Sequence, residues 1–572
     1  MSEQTQQQQQ DEKAGSAGSL GRPASIIGVL GAGTMGAGIA QLAARSGART
    51  LLFDPFPEAL ASGIASAEDG LRKEMVRGKI SEEEAAAASE RLQPAEQMEA
   101  LADCELVIEA APERLELKHE MYAKLSEIVG TECVLATNTS SLLVTAIATA
   151  ASHPERVVGM HFFNPAPLMR LLEVVAGVES SPRALALARA TGEAMGKTVI
   201  VAKDGPGFIV NRCNRPFGLE ALRLLAEQIS DVATIDRICR MEGGFRMGPF
   251  ELMDLVGVDT GFEISKSFYE QSFGEPRWRP SMIAARYVAA GLYGRKSGRG
   301  YYDYGSGPNP PRHRPDDPEP AHDAPPRDGE GVVVIAGAGV LADELRDAAD
   351  AAGFEVRSPH APTGGVLPAL MLDCDAAPVN ANGVSAAPGG GPDRRGTSTQ
   401  PQGGAHVVLC ARGSLSALDP GGSAVGFHAL PPLASSGLVE LTRSESSSPV
   451  AAARAERFFA ALGKHVAWVG DAPGLVLGRI VCQVINESAF ALGEAVGSAG
   501  DIDTGMVLGL SHPRGPLGWA DMIGLDHVLA VLVALSEEYR EERYRPAPVL
   551  RRLVAAGRLG AASGAGFFEH ED

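Results

Sequence analysis

Apolar positions follow two rhythms along this chain, and the change between them divides it. Up to about residue 203 they come as short unbroken runs, each followed by a polar or glycine-rich break and a stretch with helical spacing. ASIIGVL (24–30) reads as a buried strand, GAGTMGAGIAQLAARSG as a glycine turn and helix, and ARTLLFD (48–54) as the next strand. LADCELVIEA (101–110) and TECVLATNTSS (131–141) read as further strands that end in loops. Strands alternating with helices predict a parallel sheet with helical crossovers. Beyond residue 203 long segments carry helical periodicity, as in GFIVNRCNRPFGLEALRLLAEQ and MGPFELMDLVGVDTGFEISKSF. They predict a mostly helical domain that ends near GRKSGRGYYDY (294–304).

The pattern then recurs. Asp204-Gly-Pro-Gly-Phe-Ile-Val matches Asp471-Ala-Pro-Gly-Leu-Val-Leu, 267 residues later. The same shift carries Asp236 to Asp503, Gly248-Pro249 to Gly515-Pro516, Asp254 to Asp521 and Gly196-Lys197 to Gly463-Lys464. GRKSGRGYYDY maps to GAASGAGFFEH (560–570) at a shift of 266. The strand–glycine–helix opening also returns, as VVVIAGAGVLADEL (332–345), with a much shorter segment behind it. A register this long indicates a duplication. Between the copies, residues 305–330 hold eight prolines and are expected to be a semi-extended linker. Residues 375–404 are low in complexity and are expected to form a mobile loop.

Composition narrows the reading only a little. The chain has 572 residues, 45% apolar and 21% charged, ordinary for a globular protein of several domains. A net charge of −20 argues against broad nucleic-acid binding. The Gln-rich residues 1–22 lack the apolar run of a signal peptide and are expected to be a disordered tail. No stretch resembles a membrane span. Seven scattered cysteines without a C-x-x-C pair are expected to be reduced thiols in a cytoplasmic protein, and no metal site is expected.

Gly31-Ala-Gly33-Thr34-Met35-Gly36 lies between the first strand and the first helix. Glycines there allow a tight turn and close approach of the backbone to a pyrophosphate, which the helix N-terminus would hold. Asp54 ends the second strand, 23 residues after Gly31. A carboxylate there suits the adenosine ribose hydroxyls and repels a 2′-phosphate, so NAD is expected rather than NADP.

Four further motifs stand together: Thr137-Asn-Thr-Ser-Ser141, His161-Phe-Phe-Asn-Pro-Ala-Pro, Leu172-Glu-Val-Val and Pro206-Gly-Phe-Ile-Val-Asn-Arg212. With the glycine turn they resemble the 3-hydroxyacyl-CoA dehydrogenases of fatty-acid oxidation over about residues 24–304. The duplication, with EERYRP (541–546), resembles the long bacterial 3-hydroxyadipyl-CoA/3-hydroxybutyryl-CoA dehydrogenases of phenylacetate degradation. The resemblance implies oxidation of an (S)-3-hydroxyacyl-CoA to the 3-oxoacyl-CoA. It implies an α/β Rossmann-type parallel-sheet domain (23–203), an all-helical dehydrogenase domain (204–304), the linker, a degenerate Rossmann-like domain (331–470) and a second helical domain (471–572).

By the same resemblance His161 is the general base and Glu173 the carboxylate that orients and charges its ring, a pairing with the logic of a hydrolase triad. Ser140 would hydrogen-bond the reacting 3-oxygen, and Asn211 would stabilise charge on the substrate. A helix N-cap suits Ser140 equally well, and a local cap suits Asn211. Glu113 and Lys118 match positions on the nicotinamide side, and Asn164 and Lys296 match others around cofactor and substrate. For the CoA phosphates, Arg72, Lys73, Arg77 and Lys79 form a candidate patch, which an exposed amphipathic helix explains nearly as well. At the repeat shifts His161 and Glu173 become His428 and Glu440, whereas Asn164 becomes Pro431, Asn211 becomes Gly478 and Lys296 becomes Ala562. No acid ends FEVRSPH (354–360). The second half is therefore expected to be catalytically silent. Its expected role is structural, with the helical domains pairing as an intrachain pseudo-dimer or, alternatively, in a homodimer. Two other readings stand beside this one: a β-hydroxyacid dehydrogenase acting on a free acid, and an NAD-binding scaffold without turnover.

Overall fold

The computed structural model describes residues 21–305, 317, 329–359, 368–375 and 405–570. The expected tail up to residue 20, the linker positions 306–316 and 318–328 and the low-complexity stretch 376–404 lie outside them.

The first copy opens β1 (Ile26–Leu30), α1 (Thr34–Arg45), β2 (Arg49–Phe53), α2 (Pro57–Val76), α3 (Glu82–Arg91), β3 (Leu92–Ala95), β4 (Leu106–Glu109), α4 (Leu115–Ile128), β5 (Val134–Thr137) and α5 (Val144–Ala148). β6 (Val157–Phe162), β7 (Leu171–Ala176), α6 (Pro182–Ala194) and β8 (Thr198–Lys203) complete its sheet. Helices α7 (Val210–Cys213), α8 (Arg215–Ala226), α9 (Val232–Met241), α10 (Pro249–Val256), α11 (Val258–Gln271) and α12 (Met282–Ala289) follow. The second copy runs β9 (Val332–Ala336), α13 (Val340–Ala351), β10 (Glu355–Arg357), β11 (Leu370–Asp373), β12 (Ala405–Leu409), α14 (Leu415–Leu418), β13 (Val425–His428), β14 (Leu438–Arg443), α15 (Pro449–Ala461) and β15 (His465–Trp468). It ends in α16 (Leu477–Gly493), α17 (Ala499–Leu510), α18 (Pro516–Ile523), α19 (Leu525–Tyr539) and α20 (Pro548–Ala555).

Local chemistry accounts for many of these boundaries. Ser81 and Glu84 form a capping box at α3. Proline opens α2, α6, α10, α15, α18 and α20, where its missing N–H costs nothing. The apolar runs of β1, β4 and β5 are buried on both faces, as parallel strands under helices must be. The strand expected over 101–110 is shorter than its apolar run, because Met98–Leu101 forms a 3-10 turn.

Two compact bodies emerge: one up to Val210 together with Ala495–Leu510, the other spanning Asn211–Glu494 and Ser511–Asp572. The first body holds an eight-stranded sheet, ordered β3-β2-β1-β4-β5-β6-β7-β8, parallel except where β6 meets β7. Strand order reverses between β1 and β4, which opens the crevice where sheets of this kind take their ligands. α17, from the second copy, packs here against β7 and β8. In the second body the other sheet repeats the plan with seven strands, β10-β9-β11-β12-β13-β14-β15, again with one antiparallel pair, β13 with β14.

Apart from α17, the helical regions of both copies lie in the second body, where they meet through α8 and α16. Their contact is reciprocal. Arg212 donates to Glu487 and Glu494, both at 2.8 Å, and Arg479 donates to Glu220 at 3.0 Å and to Glu227 at 2.6 Å. Each of these residues is 267 positions from its counterpart. Residue i touches j and the counterpart of j touches the counterpart of i, the rule of a two-fold interface, here within one chain. Burial alone would lift the Glu220 carboxyl, but Arg223 and Arg479 hold it below the usual range. Among the described residues no single helix is long and apolar enough to cross a membrane.

Candidate active site

The glycine turn is shaped for close approach. Gly31 has φ +94°, and a Cβ there would stand 2.7 Å from the Ala110 carbonyl oxygen. A Cβ on Gly36 would overlap the Gly31 carbonyl oxygen, so both glycines are sterically required. At Gly33 a Cβ would meet nothing within 4 Å. That open face, with the exposed Thr34 beside it at the start of α1, fits a pyrophosphate against the helix N-terminus. Met35 instead packs partly against the apolar core of the sheet. Asp54 accepts the Ala32 N–H at 2.9 Å and the Phe56 N–H at 3.0 Å, which fixes its carboxylate beside the turn.

Across the crevice, Glu113 organises the loop that carries Ser140. Its Oε1 accepts the Ser140 and Ser141 N–H groups and the Ser141 hydroxyl, each at 3.0 Å, and also the Thr139 hydroxyl. Burial opposes its charge, but Lys118 and these donors hold its carboxyl below the usual range. Lys118 is 1% exposed and donates to both oxygens of Glu109, at 2.6 and 2.8 Å. Glu109 is fully buried and also accepts from Thr137 Oγ1 and the Ala111 N–H. It went unnoticed in the sequence because its run, ELVIEA, reads as strand. Ser140 itself is exposed and is not an N-cap, since α5 starts at Val144 with Leu143 in the capping position.

His161 and Glu173 face each other directly across the antiparallel β6–β7 pair. Nδ1 of His161 lies 2.7 Å from Glu173 Oε2. The other carboxylate oxygen accepts the Ile209 and Val210 N–H groups, both at 3.1 Å. A carboxylate can only accept, so the proton of this contact sits on Nδ1 and leaves Nε2 with a free lone pair. The rings of Phe163 and Phe208, at 4.5 and 5.8 Å between centroids, flank the imidazole. Asn138, another residue not singled out beforehand, accepts the Phe162 N–H at 2.8 Å and ties β6 to the Ser140 loop. Asn164 is exposed just past β6.

In the second body, Asn211 is half-buried in α7, and its backbone carbonyl accepts from Arg215. Lys296 lies in the turn Arg295–Ser297, bound to Asp259 at 2.6 Å. At the end of α2, Arg72 and Lys73 share Asp69 in contacts along one exposed helix face.

Residues 26–205 match the family model for the 3-hydroxyacyl-CoA dehydrogenase NAD-binding domain, and residues 207–304 and 474–570 each match its C-terminal domain. The chain belongs to the 3-hydroxyacyl-CoA dehydrogenase family. It is 34% identical to a 3-hydroxyadipyl-CoA dehydrogenase of Escherichia coli K12, over 92% of this chain and 96% of that protein. It is 38% identical to a 3-hydroxybutyryl-CoA dehydrogenase of Bradyrhizobium diazoefficiens, over 50% of this chain and 98% of that one. The crystal structure of a 3-hydroxybutyryl-CoA dehydrogenase from Escherichia coli K12 superposes with a TM-score of 0.73 at 32% identity, covering 93% of this chain and 99% of that one. NAD is the cofactor of the family's matched sheet domain, and the open face at Gly33 suits it.

The second dehydrogenase copy keeps the dyad's register but not its bond. His428 stands opposite Glu440, and Glu440 accepts the Val476 and Leu477 N–H groups at 2.8 Å, as Glu173 accepts its own pair. Yet Nε2 of His428 lies 3.2 Å from His527 Nε2, and its buried Nδ1 has no hydrogen-bond partner among the described residues. The ring fills the space a side chain at 478 would need, because a Cβ on Gly478 would overlap it. Burial and His527 push this imidazole well below its ordinary range. The second glycine turn is met by Asp375, after β11, which accepts the Ala338 N–H at 3.1 Å; β10 ends at Arg357.

Proposed function

We propose that this chain oxidises (S)-3-hydroxyacyl-CoA to 3-oxoacyl-CoA with NAD, at one active site centred on His161. The observation that carries this reading is the 2.7 Å contact between His161 Nδ1 and a Glu173 carboxylate pinned by two backbone N–H groups. Nε2 of His161 takes the proton of the substrate 3-hydroxyl, and Glu173 stabilises the imidazolium that forms. The Gly31–Gly36 turn and Asp54 would hold NAD, which would supply the acceptor for the hydride of C3. Ser140 hydrogen-bonds the 3-oxygen from the loop that Glu113 and Lys118 hold. Asn211 stabilises charge toward the thioester. Asn164 and Lys296 complete the cofactor and substrate side, and Lys73 and Arg77 are the candidates for CoA phosphates. A 3-hydroxyadipyl or 3-hydroxybutyryl group is the proposed acyl chain, from the names of the relatives. The second copy is silent, and the chain works as an intrachain pseudo-dimer in the cytoplasm.

Absorbance at 340 nm with NAD and either acyl-CoA tests the reading. His161→Gln should lower turnover by about 10²-fold or more, and His428→Gln should change it little. Equal losses would overturn the assignment of a single site. Turnover of the free hydroxy acid alone would favour the β-hydroxyacid reading, and NADH binding without turnover would favour a scaffold.

A further inference from the structure

Each copy lends one helix to the sheet of the other, and one position on that helix differs in a way that bears on the dyads. In the first body, α17 of the second copy packs by glycines against the segment that holds Glu173. A Cβ on Gly505 would stand 3.0 Å from Val210, and one on Gly497 would crowd Ile209. A Cβ on Gly509 would stand 2.9 Å from Leu171, 3.1 Å from Val210 and 3.4 Å from Phe163. Each of these three is tied to the dyad. Val210 donates its N–H to Glu173, Phe163 lies against the His161 ring, and Leu171 precedes Glu173 by two positions on β7. The Lys203 N–H bonds the Val496 carbonyl at 2.8 Å and anchors the arrangement.

The second body holds the counterpart. The Gly470 N–H bonds the Ile229 carbonyl at 2.7 Å, the same bond displaced by 267 residues at both ends. α9 of the first copy packs on β14, and Gly243 at its end abuts Leu477, the counterpart of Val210. The counterpart of Gly509 is Glu242. It is 5% exposed, and its buried carboxyl faces that of Glu440. Two carboxyls in so dry a place cannot both be charged and must hold a proton between them.

We infer that the residue at position 509, mirrored by 242, decides which dyad is usable. Glycine from the second copy leaves Glu173 to His161, whereas glutamate from the first copy occupies Glu440 and leaves His428 without its carboxylate. Gly509 is thus a positioning residue supplied to the active site by the silent copy. The inference rests on the His161–Glu173 reading above.

The experiment compares Gly509→Glu with Gly509→Gln in the full chain. The two crowd Leu171, Val210 and Phe163 alike, and only the first brings a carboxyl. Turnover of 3-hydroxybutyryl-CoA with NAD should be about 10-fold or more lower in Gly509→Glu than in Gly509→Gln, at matched thermal midpoints. Equal turnover in the two would overturn the inference. Should the longer pair fail to fold, Gly509→Asp against Gly509→Asn poses the same question with one methylene fewer. His161→Gln in the same assay separates the two claims. If it retains turnover, the dyad reading fails; if it loses turnover while the Glu and Gln variants agree, only the role of position 509 fails.

Discussion

His161 and His428 occupy equivalent ladder positions, each opposite a glutamate held by two backbone N–H groups, yet only one is bound to its glutamate. The orienting contact is therefore what Glu173→Gln should expose. An amide at that position presents a donor as readily as an acceptor and no longer fixes the Nδ1–H tautomer, so turnover should fall by about 10²–10⁴-fold with the KM for NAD little changed. Steady-state rates at 340 nm check this. The second copy makes a separate prediction. Burial pushes Glu440 up to about 8, and burial together with Glu440 pushes Glu242 well above the usual carboxylate range. A raised carboxyl holds its proton in the folded state after the unfolded chain has lost it. Its contribution is full below about pH 4.5 and is lost as pH rises through 8 and beyond. Cys239 on α9 lies near this pair, and His428, opposite Glu440 on the β13–β14 ladder, is held neutral there. Glu242→Gln takes away the proton that the pair shares and so up to about 1.4 kcal/mol per pH unit of slope. The thermal midpoint of the wild type should fall more steeply between pH 5 and 9 than that of the variant.

Among the elements, the strand–turn–helix opening was legible because its signals are local. The buried run IIGVL, the glycines and the acid after the second strand lie within thirty residues of one another. Gly36→Ala should disrupt this element, since its methyl meets the Gly31 carbonyl oxygen, a backbone atom that cannot rotate away. The expected result is a KM for NAD raised by about 10-fold or more, roughly the effect of losing a 1.4 kcal/mol contact. Elements whose partners are distant were read less well. Lys118 looks like one more charge of an exposed helix, and only the fold shows it buried on Glu109. Arg479, in the apolar stretch VLGRIVC, gives no hint that Glu220 and Glu227 wait for it. Arg479→Met should cost about 3–5 kcal/mol, because the buried Glu220 would lose one of the two guanidiniums bonded to it. Denaturant midpoints test that cost, and a change below 1 kcal/mol would argue against the ion-pair account.

For the whole molecule, the two copies cover each other's apolar faces within one chain. α8 and α16 cover each other, Arg212 and Arg479 find their carboxylates across the repeat, and α17 covers β7 and β8 of the first sheet. Truncation after residue 310 removes α16 and α17 together and bares those faces. The fragment should be unstable or should dimerise, as light scattering and a melting curve would show. A stable, fully active monomer would contradict it.

The sequence by itself determined the alternating strands and helices, the dinucleotide turn, the duplication and the residues of both His–Glu pairs. The strands, the turn and the repeat follow from periodicity, from glycine at positions where a Cβ has no room, and from spacing along one chain; the His–Glu pairs follow from the family resemblance and the repeat register. Only the tertiary structure decided that Glu113 holds the Ser140 loop, that His428 has turned from Glu440 to His527, and that a glycine faces one dyad and a glutamate the other. Hydrogen bonds and burial join residues that lie up to hundreds of positions apart, and no local pattern records those partners.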